Sequence, residues 1–350
     1  MKETFSIGIL GCGMIANYHA KAIREIPGAR LAGAFDKHLD RGRSFCETYG
    51  ICQFDSMEAM LSSDEVDVVC ICLPSGLHYG TMQECIRYGK HVIVEKPMTF
   101  TTGQADEIIA MADAAGVQVT VISQLRYSQA VSTLKDALRQ GYFGKPVTFD
   151  ICMKYYRDPE YYSSSSWKGT LEMDGGGALM NQGVHGVDLL QYIAGPVVSV
   201  QALTATRCHS IEAEDTVAAV LEFENGALGV LQATTSVYPG FSRRLEICGT
   251  EGTAILMEDA IAYCAFRDSS KALPCKKPRV ETGSRPDGMD HSLHKMQIAD
   301  FLLSLRENRR PFLDAWEGRK AVQIIEAVYR AAATGEKVII GKNKEEMNHG

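Results

Sequence analysis

The chain has 350 residues, which is enough for about two domains. Its 45% hydrophobic and 23% charged residues are typical of a soluble globular protein. A formal net charge of −7 and the lack of a concentrated basic patch argue against a nucleic-acid partner. The sequence is expected to carry neither a signal peptide nor a membrane span. The eleven cysteines are scattered without a CxxC pair, which predicts reduced thiols, a cytoplasmic location and no metal site.

A glycine-rich turn follows the apolar run 5–10, and the residues after it have helical spacing. In Gly11-x-Gly13-x-x-Ala16 the first glycine permits a tight turn and the second lets the backbone approach a pyrophosphate. The small third residue allows the helix to pack on the strand, and the helix N-terminus supplies N–H groups for the anion. The pattern predicts a dinucleotide site whose contacts come from Gly11, Gly13, Met14 and Ile15.

A second buried strand, 29–35, ends at Asp36. A carboxylate at this point in a dinucleotide-binding fold contacts the hydroxyls of the adenosine ribose. Asp36 would repel a 2′-phosphate, so NAD is favoured as the cofactor. Lys37 follows it directly and leaves NADP open, and a plain turn aspartate is the alternative interpretation.

Strands and helices then alternate through the first third of the chain. Apolar runs predict strands at 65–73, 91–94 and 117–122, with helices at 77–88 and 106–115 between them. This order predicts an α/β fold with a doubly wound parallel sheet. The loops at the carboxyl ends of the strands are expected to open onto one crevice, and they contain Gly11–Ala16, Asp36, Pro74–His78 and Glu95–Pro97.

The pattern changes after about residue 145. Alternating strands are predicted at 145–156, 197–207, 216–224, 227–235, 243–248 and 253–257, with a hairpin signal at Glu224-Asn225-Gly226. They indicate a second, α+β domain with an antiparallel sheet, which gives predicted domains of 1–123 and 124–350. Loops are predicted at 163–166 and 273–288, amphipathic helices at 296–305 and 317–333, and a frayed tail at 343–350.

Two stretches carry polar residues that suit chemistry. Lys96, placed after the apolar strand 91–94, could donate a hydrogen bond to a substrate oxygen and stabilise developing negative charge; a loop ion pair with Glu95 is the alternative. Asn181, His185 and Asp188 recur at i, i+4 and i+7, so they are predicted to share one face of a largely apolar helix. The His291-x-x-His294 pair has no third ligand and is interpreted as a solvated pair rather than a metal site.

Together these motifs resemble the glucose–fructose oxidoreductase/inositol dehydrogenase (Gfo/Idh/MocA) family over nearly the whole chain. The resemblance is carried by Gly11-x-Gly13-x-x-Ala16, Pro74-Ser75-x-x-His78, Glu95-Lys96-Pro97 and Gly175-Gly-Gly-x-Leu-x-Asn181-x-Gly-x-His185-x-x-Asp188. It implies an N-terminal Rossmann domain and a C-terminal α+β domain with an open, mostly antiparallel sheet. The face of that sheet commonly builds a homodimer or homotetramer.

The resemblance also implies residue roles. The lysine matching Lys96 contacts the reacting oxygen, and the histidine matching His185 acts as the acid/base, with Asn181 as an orienting group. Cofactor contacts are expected from Pro74, Ser75, His78, Glu95, Lys96, Trp167 and Lys168, and substrate contacts from Arg126, Tyr127, Tyr156, Arg157 and Asp188. Many polyol dehydrogenases of the family have Asp where this chain has Asn181, which argues against an Asp–His dyad.

The leading hypothesis is an NAD(P)-dependent enzyme that oxidises or reduces a hydroxyl of a sugar, sugar derivative or nucleotide sugar. A pyranoside 3-hydroxyl and UDP-N-acetylglucosaminuronate are the substrate types most similar to the pattern around Trp167 and Asn181. Three alternatives stay open: a redox-neutral NAD-dependent glycosidase, an inositol dehydrogenase and a catalytically silent NAD-dependent regulator. The sequence names neither the exact substrate nor the direction of the reaction.

Overall fold

The computed structural model describes residues 2–277 and 290–341 and divides into two compact units. The first comprises Met1–Gln124 with Met289–Val322, and the second comprises Leu125–Gly288 with Gln323–Gly350. The first boundary lies close to the predicted one after residue 123. The predicted second domain, 124–350, differs from the observed unit because Met289–Val322 groups with the first unit.

The first unit contains a six-stranded parallel sheet in the order β3-β2-β1-β4-β5-β6. Strand order reverses beside β1, and the carboxyl ends of strands on either side of such a point open onto a crevice. The predicted doubly wound parallel sheet is confirmed. Its strands are β1 (Phe5–Leu10), β2 (Ala29–Phe35), β3 (Cys52–Gln53), β4 (Val68–Ile71), β5 (His91–Val94) and β6 (Val119–Val121).

Helices cover both faces of this sheet. Alternate side chains point to opposite faces, so Ile7 and Ile9 enter one buried cluster while Leu10 enters another. The helices up to β6 are α1 (Met14–Arg24), α2 (Leu39–Tyr49), α3 (Met57–Leu61), α4 (His78–Arg87) and α5 (Thr102–Ala115), with a 3₁₀ turn at Ser75–Leu77.

A helix from late in the chain completes the first core. Helix α9 (Ser292–Glu307) places Ile298, Phe301 and Leu302 in the same buried cluster as Ile7. Its Gln297 accepts a hydrogen bond from the backbone N–H of Ser123 at 3.0 Å and donates to the carbonyl of Val121 at 2.7 Å. This packing explains why Met289–Val322 groups with the first unit.

The second unit contains an eight-stranded sheet in the order β13-β12-β11-β7-β10-β9-β8-β14. Only the β7–β10 pair is parallel among the strand pairs of this sheet, so the predicted open, mostly antiparallel sheet is confirmed. Its strands are β7 (Pro146–Lys154), β8 (Val197–Ala205), β9 (Thr216–Phe223), β10 (Leu228–Thr234), β11 (Arg244–Gly249), β12 (Gly252–Met257), β13 (Ala260–Phe266) and β14 (Val338–Ile339).

The helices of the second half include one irregular segment. A π-helical turn at Ala178–Gly183 leads directly into α8 (Val184–Ala194). The other helices are α6 (Gln129–Arg139), the short α7 (Pro159–Ser163) and α10 (Ala315–Thr334), and a 3₁₀ turn lies at Gln124–Tyr127. The division between the two units falls within α10. The predictions for 278–288 and 343–350 lie outside the described residues.

Strands β13 and β14 are absent from the sequence prediction. β14 has only two residues and is recognisable only from its pairing with β8, in which Val338 faces Val200. Within the described residues, no helix is both long and apolar enough to cross a membrane.

Candidate functional site

The glycine-rich turn between β1 and α1 fits a pyrophosphate. Gly11 has a φ of +87°, and a Cβ there would lie 2.8 Å from the carbonyl oxygen of Cys72, so only glycine suits the position. A Cβ on Gly13 would meet no atom within 4 Å, which leaves open space where a ligand can approach the backbone. No side chain caps the N-terminus of α1, so its first N–H groups are available to an anion. Met14 is exposed at this end, and Ile15 is partly buried.

Asp36 is buried at the end of β2 and is already bound by its neighbours. Its Oδ2 accepts the backbone N–H of Cys12 at 2.8 Å, and its Oδ1 accepts that of His38 at 2.8 Å. Arg41 donates to both oxygens at 2.8 Å. Burial raises the pKa of Asp36, but these hydrogen bonds outweigh it and hold the pKa below its usual value. Sequence reasoning singled out Lys37, which is exposed, and missed Arg41.

The loops after β4 and β5 are joined by a buried histidine. Nδ1 of His78 lies 2.7 Å from the carbonyl oxygen of Pro97, and Nε2 lies 2.9 Å from that of Leu73. Both ring nitrogens therefore face backbone acceptors, which makes His78 a support for the two loops. The adjacent Ser75 is also buried. A direct cofactor contact by Pro74, Ser75 or His78 stays a prediction.

Glu95 and Lys96 directly follow β5. Glu95 is buried, and its Oε1 lies 2.7 Å from Nε2 of His19 on α1. Its Oε2 accepts the backbone N–H of Lys96 at 3.3 Å. Sequence reasoning did not single out His19 as a partner of Glu95; the alternative of a loop ion pair between Glu95 and Lys96 stays a prediction.

In the second unit, Glu214 fixes the entry to the π-helical turn. Its carboxylate accepts the backbone N–H groups of Gly177 at 3.0 Å and Leu179 at 2.8 Å, and the hydroxyl of Tyr329 at 3.0 Å. A Cβ on Gly177 would lie 1.8 Å from the carbonyl oxygen of Glu214, so the segment passes too closely for any larger residue. Burial raises the pKa of Glu214.

Asn181, His185 and Asp188 do not lie on one continuous α-helix, and that they share one face stays a prediction. Asn181 lies in the π-helical turn and donates to the buried carboxylate of Asp174, whereas α8 begins only at Val184. Because a π-helical turn has more residues per turn than an α-helix, the assumed phase does not extend across it. His185 is half-buried on the first turn of α8.

Asp188 is paired with Arg126. Both residues were predicted to contact the substrate. Arg126 Nε donates to Asp188 Oδ2 at 2.9 Å and Nη2 donates to Oδ1 at 2.6 Å. The two side chains are only 1% and 4% exposed, and the guanidinium also lies 4.7 Å from the ring centroid of Tyr192. This geometry favours a structural role for the pair. Tyr127 is half-buried in the preceding 3₁₀ turn.

Two cations lie around the ring of Tyr161. Lys168 Nζ is 3.9 Å from the ring centroid, and the Arg157 guanidinium is 5.4 Å from it. Arg157 also donates to Gln182 Oε1 at 2.7 Å, and Gln182 Nε2 donates to Asn181 Oδ1 at 2.9 Å. Burial lowers the pKa of Lys168. This arrangement connects the predicted residue Arg157, which precedes α7, to Asn181. Trp167 and Tyr156 are half-buried.

The structure corrects the interpretation of His291 and His294 as a solvated pair. His291 is partly exposed and pairs with Glu25 at 2.8 Å, but His294 is buried, so the two are not a solvated pair. His294 lies on the side of α9 that packs into the first core. Two groups of side chains in the described part of the chain bring metal-ligating atoms within 4.8 Å of one another: His19, Cys70 and Cys72; and His19, Glu95 and His294.

The comparisons with known proteins identify both parts of the chain. Residues 5–123 match the oxidoreductase family model with an NAD-binding Rossmann fold, and residues 131–255 match the GFO/IDH/MocA C-terminal domain. The chain belongs to the GFO/IDH/MocA family. The predicted family is thereby confirmed, as are an oxidoreductase and an NAD cofactor, and the open turn at Gly13 fits that cofactor.

Three relatives illustrate the family. The chain is 31% identical to the WlbA dehydrogenase of Bordetella pertussis, solved with NADH and UDP-GlcNAcA, with a TM-score of 0.86 over 97% of this chain and 100% of that one. It is 25% identical to D-apiose dehydrogenase of Paraburkholderia graminis over 96% of this chain and 90% of the relative. The fold is shared by a levoglucosan dehydrogenase solved with NADH and levoglucosan. That protein is 20% identical, with a TM-score of 0.86 over 97% of this chain and 100% of that one.

The Arg126–Asp188 pair gives a stability prediction. Asp188→Asn leaves the buried Arg126 charge without its carboxylate, so we expect a loss of about 3–5 kcal/mol in the free energy of unfolding. Denaturant unfolding measures it. The matched control is Asp136→Asn, which breaks an exposed pair with Arg139 at 3.7 Å and should cost less than about 1 kcal/mol. Equal effects of the two substitutions would contradict a structural role.

Proposed function

We propose that the protein is an NAD-dependent dehydrogenase that oxidises a pyranose hydroxyl of an anionic sugar or nucleotide sugar, with UDP-N-acetylglucosaminuronate as the first substrate to test. The observation that carries the substrate class is the pair of cations, Arg157 and Lys168, held around Tyr161 and linked through Gln182 to Asn181. The family membership supports the reaction type, and the likeness to WlbA supports the substrate class.

In the first unit, Lys96 has the position and the charge to act on a reacting oxygen. It follows a buried strand, and both of its sequence neighbours are held by histidines, Glu95 by His19 and Pro97 by His78. A lysine ammonium directed at the substrate hydroxyl stabilises the negative charge that develops on the oxygen. NAD, when bound, supplies the hydride acceptor.

In the second unit, His185 is proposed as the group that removes the hydroxyl proton, because an imidazole changes protonation near neutral pH. Asn181 is proposed to orient substrate or His185. Its amide donates to Asp174, and Asp174 also accepts the backbone N–H of Gly169 at 2.8 Å, so the amide is fixed in direction. A neutral amide cannot supply the charge that an Asp–His dyad would.

The cations around Tyr161 favour a substrate that carries an anionic group. An anionic sugar brings a carboxylate or a diphosphate that can displace the weak hydration of a guanidinium and bind it through paired hydrogen bonds. A neutral pyranoside offers no such partner. The cytoplasmic location predicted from the scattered cysteines stays part of this proposal.

The proposed substrate class is tested by a matched screen. Purified protein with NAD is given UDP-N-acetylglucosaminuronate, UDP-N-acetylglucosamine, levoglucosan and myo-inositol, and NADH formation is followed by absorbance. We expect the uronate to be turned over most efficiently. UDP-N-acetylglucosamine keeps the diphosphate but has a hydroxymethyl group in place of the carboxylate, and we expect it to lose about 100-fold or more in kcat/KM. Equal activity on both UDP-sugars would reject the uronate-carboxylate requirement.

Variants of the two proposed catalytic residues test the roles. Lys96→Ala and His185→Ala should each lower kcat by about 100-fold or more, because each removes a group that acts in the transition state. NADH binding, followed by fluorescence titration, should persist in both variants. Lys21→Ala on the exposed side of α1 is the control and should keep full activity. Full turnover in either catalytic variant would overturn its assignment.

We also propose that the protein assembles as a homodimer or homotetramer through its eight-stranded sheet. Apolar side chains of neighbouring strands are exposed on this sheet, where Val220 of β9 pairs with Val230 of β10. Leu203 and Leu228 are exposed on β8 and β10. Contiguous exposed apolar side chains of this kind are characteristic of an interaction surface.

Val220→Glu tests the assembly. It places a charge in the middle of the exposed apolar group, so we expect the mass measured by light scattering during size-exclusion chromatography to fall toward the 38.4 kDa of one chain. Leu39→Glu, an equally exposed apolar position on α2 of the first unit, is the control and should leave the mass unchanged. A monomeric parent protein would refute the proposal.

A further inference from the structure

A buried carboxylate at the end of β5 is bound from two sides. Glu95 directs Oε1 to Nε2 of His19 at 2.7 Å and Oε2 to the backbone N–H of Lys96 at 3.3 Å. The side chains of His19 and Glu95 are 0% and 9% exposed. A carboxylate in such a place is costly to bury unless a cation and hydrogen bonds compensate it, and His19 provides both when it is protonated.

His19 is placed by the same helix that follows the glycine-rich turn. On α1, Ala16, His19, Ala20 and Ile23 form the buried face, so His19 is the polar member of an otherwise apolar stripe. The imidazole therefore reaches Glu95 from the element that begins at the pyrophosphate turn. One hydrogen bond joins the first helix of the Rossmann domain to the residue before Lys96.

The charges that face His19 come from three elements. Cys70 lies on β4 and Cys72 directly after it, Glu95 follows β5, and His294 lies on α9 with its ring edge-on to His19 at 5.4 Å between centroids. Lys96, next to Glu95, acts on the charge of that carboxylate. Burial lowers the pKa of His19, but Cys70 and Glu95 outweigh it and raise the pKa to about 10. Burial and the His19 charge lower the pKa of His294 to about 4, so it is a neutral neighbour.

The geometry also argues against one metal ion bound by both His19 Nε2 and Glu95 Oε1. His19 Nε2 and Glu95 Oε1 are separated by 2.7 Å, which is a hydrogen-bond distance. Two ligands at about 2.1 Å from one ion, at tetrahedral angles, would lie farther apart than this. The second group shares His19 with Cys70 and Cys72.

We propose that His19 is a positioning residue for Lys96: its hydrogen bond and charge fix the Glu95 carboxylate, and that carboxylate fixes the backbone of Lys96. This inference rests on the role proposed above for Lys96. His78 supports the other side, because its Nδ1 lies 2.7 Å from the carbonyl oxygen of Pro97. Without His19, the buried Glu95 carboxylate would lose its partner on α1, and the backbone of Lys96 would lose the fixed acceptor of its N–H group.

A double-mutant cycle tests this role. His19→Gln keeps a hydrogen-bond donor but removes the charge, and we expect kcat to fall roughly 10- to 100-fold through misplacement of Lys96. KM for NAD should change less than about threefold, because the glycine turn is untouched. In His19→Gln/Glu95→Gln no buried charge is left uncompensated, so kcat should recover at least about fivefold relative to His19→Gln. A residue that only fills space would give no such recovery.

A surface pair of the same chemistry provides the control. His291 Nε2 lies 2.8 Å from Glu25 Oε1, with the two side chains 26% and 49% exposed. His291→Gln should leave kcat unchanged. If Lys96→Ala is inactive but His19→Gln keeps the parent kcat, the positioning role fails and the proposed function stands. If Lys96→Ala is fully active, the role of Lys96 in the proposed function is what fails.

The pH dependence of stability tests the pair without using activity. The pKa of His19 rises from 6.5 to about 10 on folding, so its contribution is fully present below 6.5 and is lost as the pH rises through 10. We expect the difference in melting temperature between the parent protein and His19→Gln to shrink as the pH is raised from 6.5 toward 10. If the difference in melting temperature stays constant between pH 6.5 and 10, His19 and Glu95 do not form a charged pair.

Discussion

The first unit depends on the compensation of one buried carboxylate. Glu95 lies at the carboxyl end of a parallel strand, and nearly all of its surface is removed from water. Burial raises its pKa, but the hydrogen bond and charge of His19 outweigh this and hold the pKa far below the usual value. The charge is therefore stable only while α1 and β5 keep their present positions, so the pair couples the geometry of two strand-end loops.

Other strand ends in this unit are joined in the same way. Asp36 after β2 binds the backbone of Cys12 in the glycine turn, and His78 joins the loops after β4 and β5 through Leu73 and Pro97. Asp36 binds backbone of another loop, and His78, at the start of α4, contacts backbone in the loop before it and in the loop after β5. Loops held by such links are rigid supports for a bound dinucleotide, which reduces the ordering cost of binding.

Local pattern was sufficient to predict much of the fold. The buried runs at β1, β2 and β5 and the turn at Gly11 and Gly13 predicted the parallel sheet because each signal lies within about ten residues. What joins distant segments was missed: His294 reaches His19 across 275 residues of sequence, and β14 is defined only by β8. The signal for His19 was present, since a histidine on the apolar stripe of α1 requires a buried partner. The π-helical turn that holds Asn181 was also missed, because α-helical spacing contains no sign of such a turn.

Both units use buried carboxylates to hold backbone, and in the second unit Glu214 accepts the N–H groups of Gly177 and Leu179. In the first unit, buried side chains bind backbone at strand ends, so altering one changes the position of several loops. In the second, Arg157 and Lys168 lie on a loop and at a short helix and contact the ring of Tyr161 and the amide of Gln182. Side-chain contacts on loops can be exchanged with little effect on the sheet below them. Loop contacts of this kind can therefore change while the sheet beneath them keeps its strand pairing.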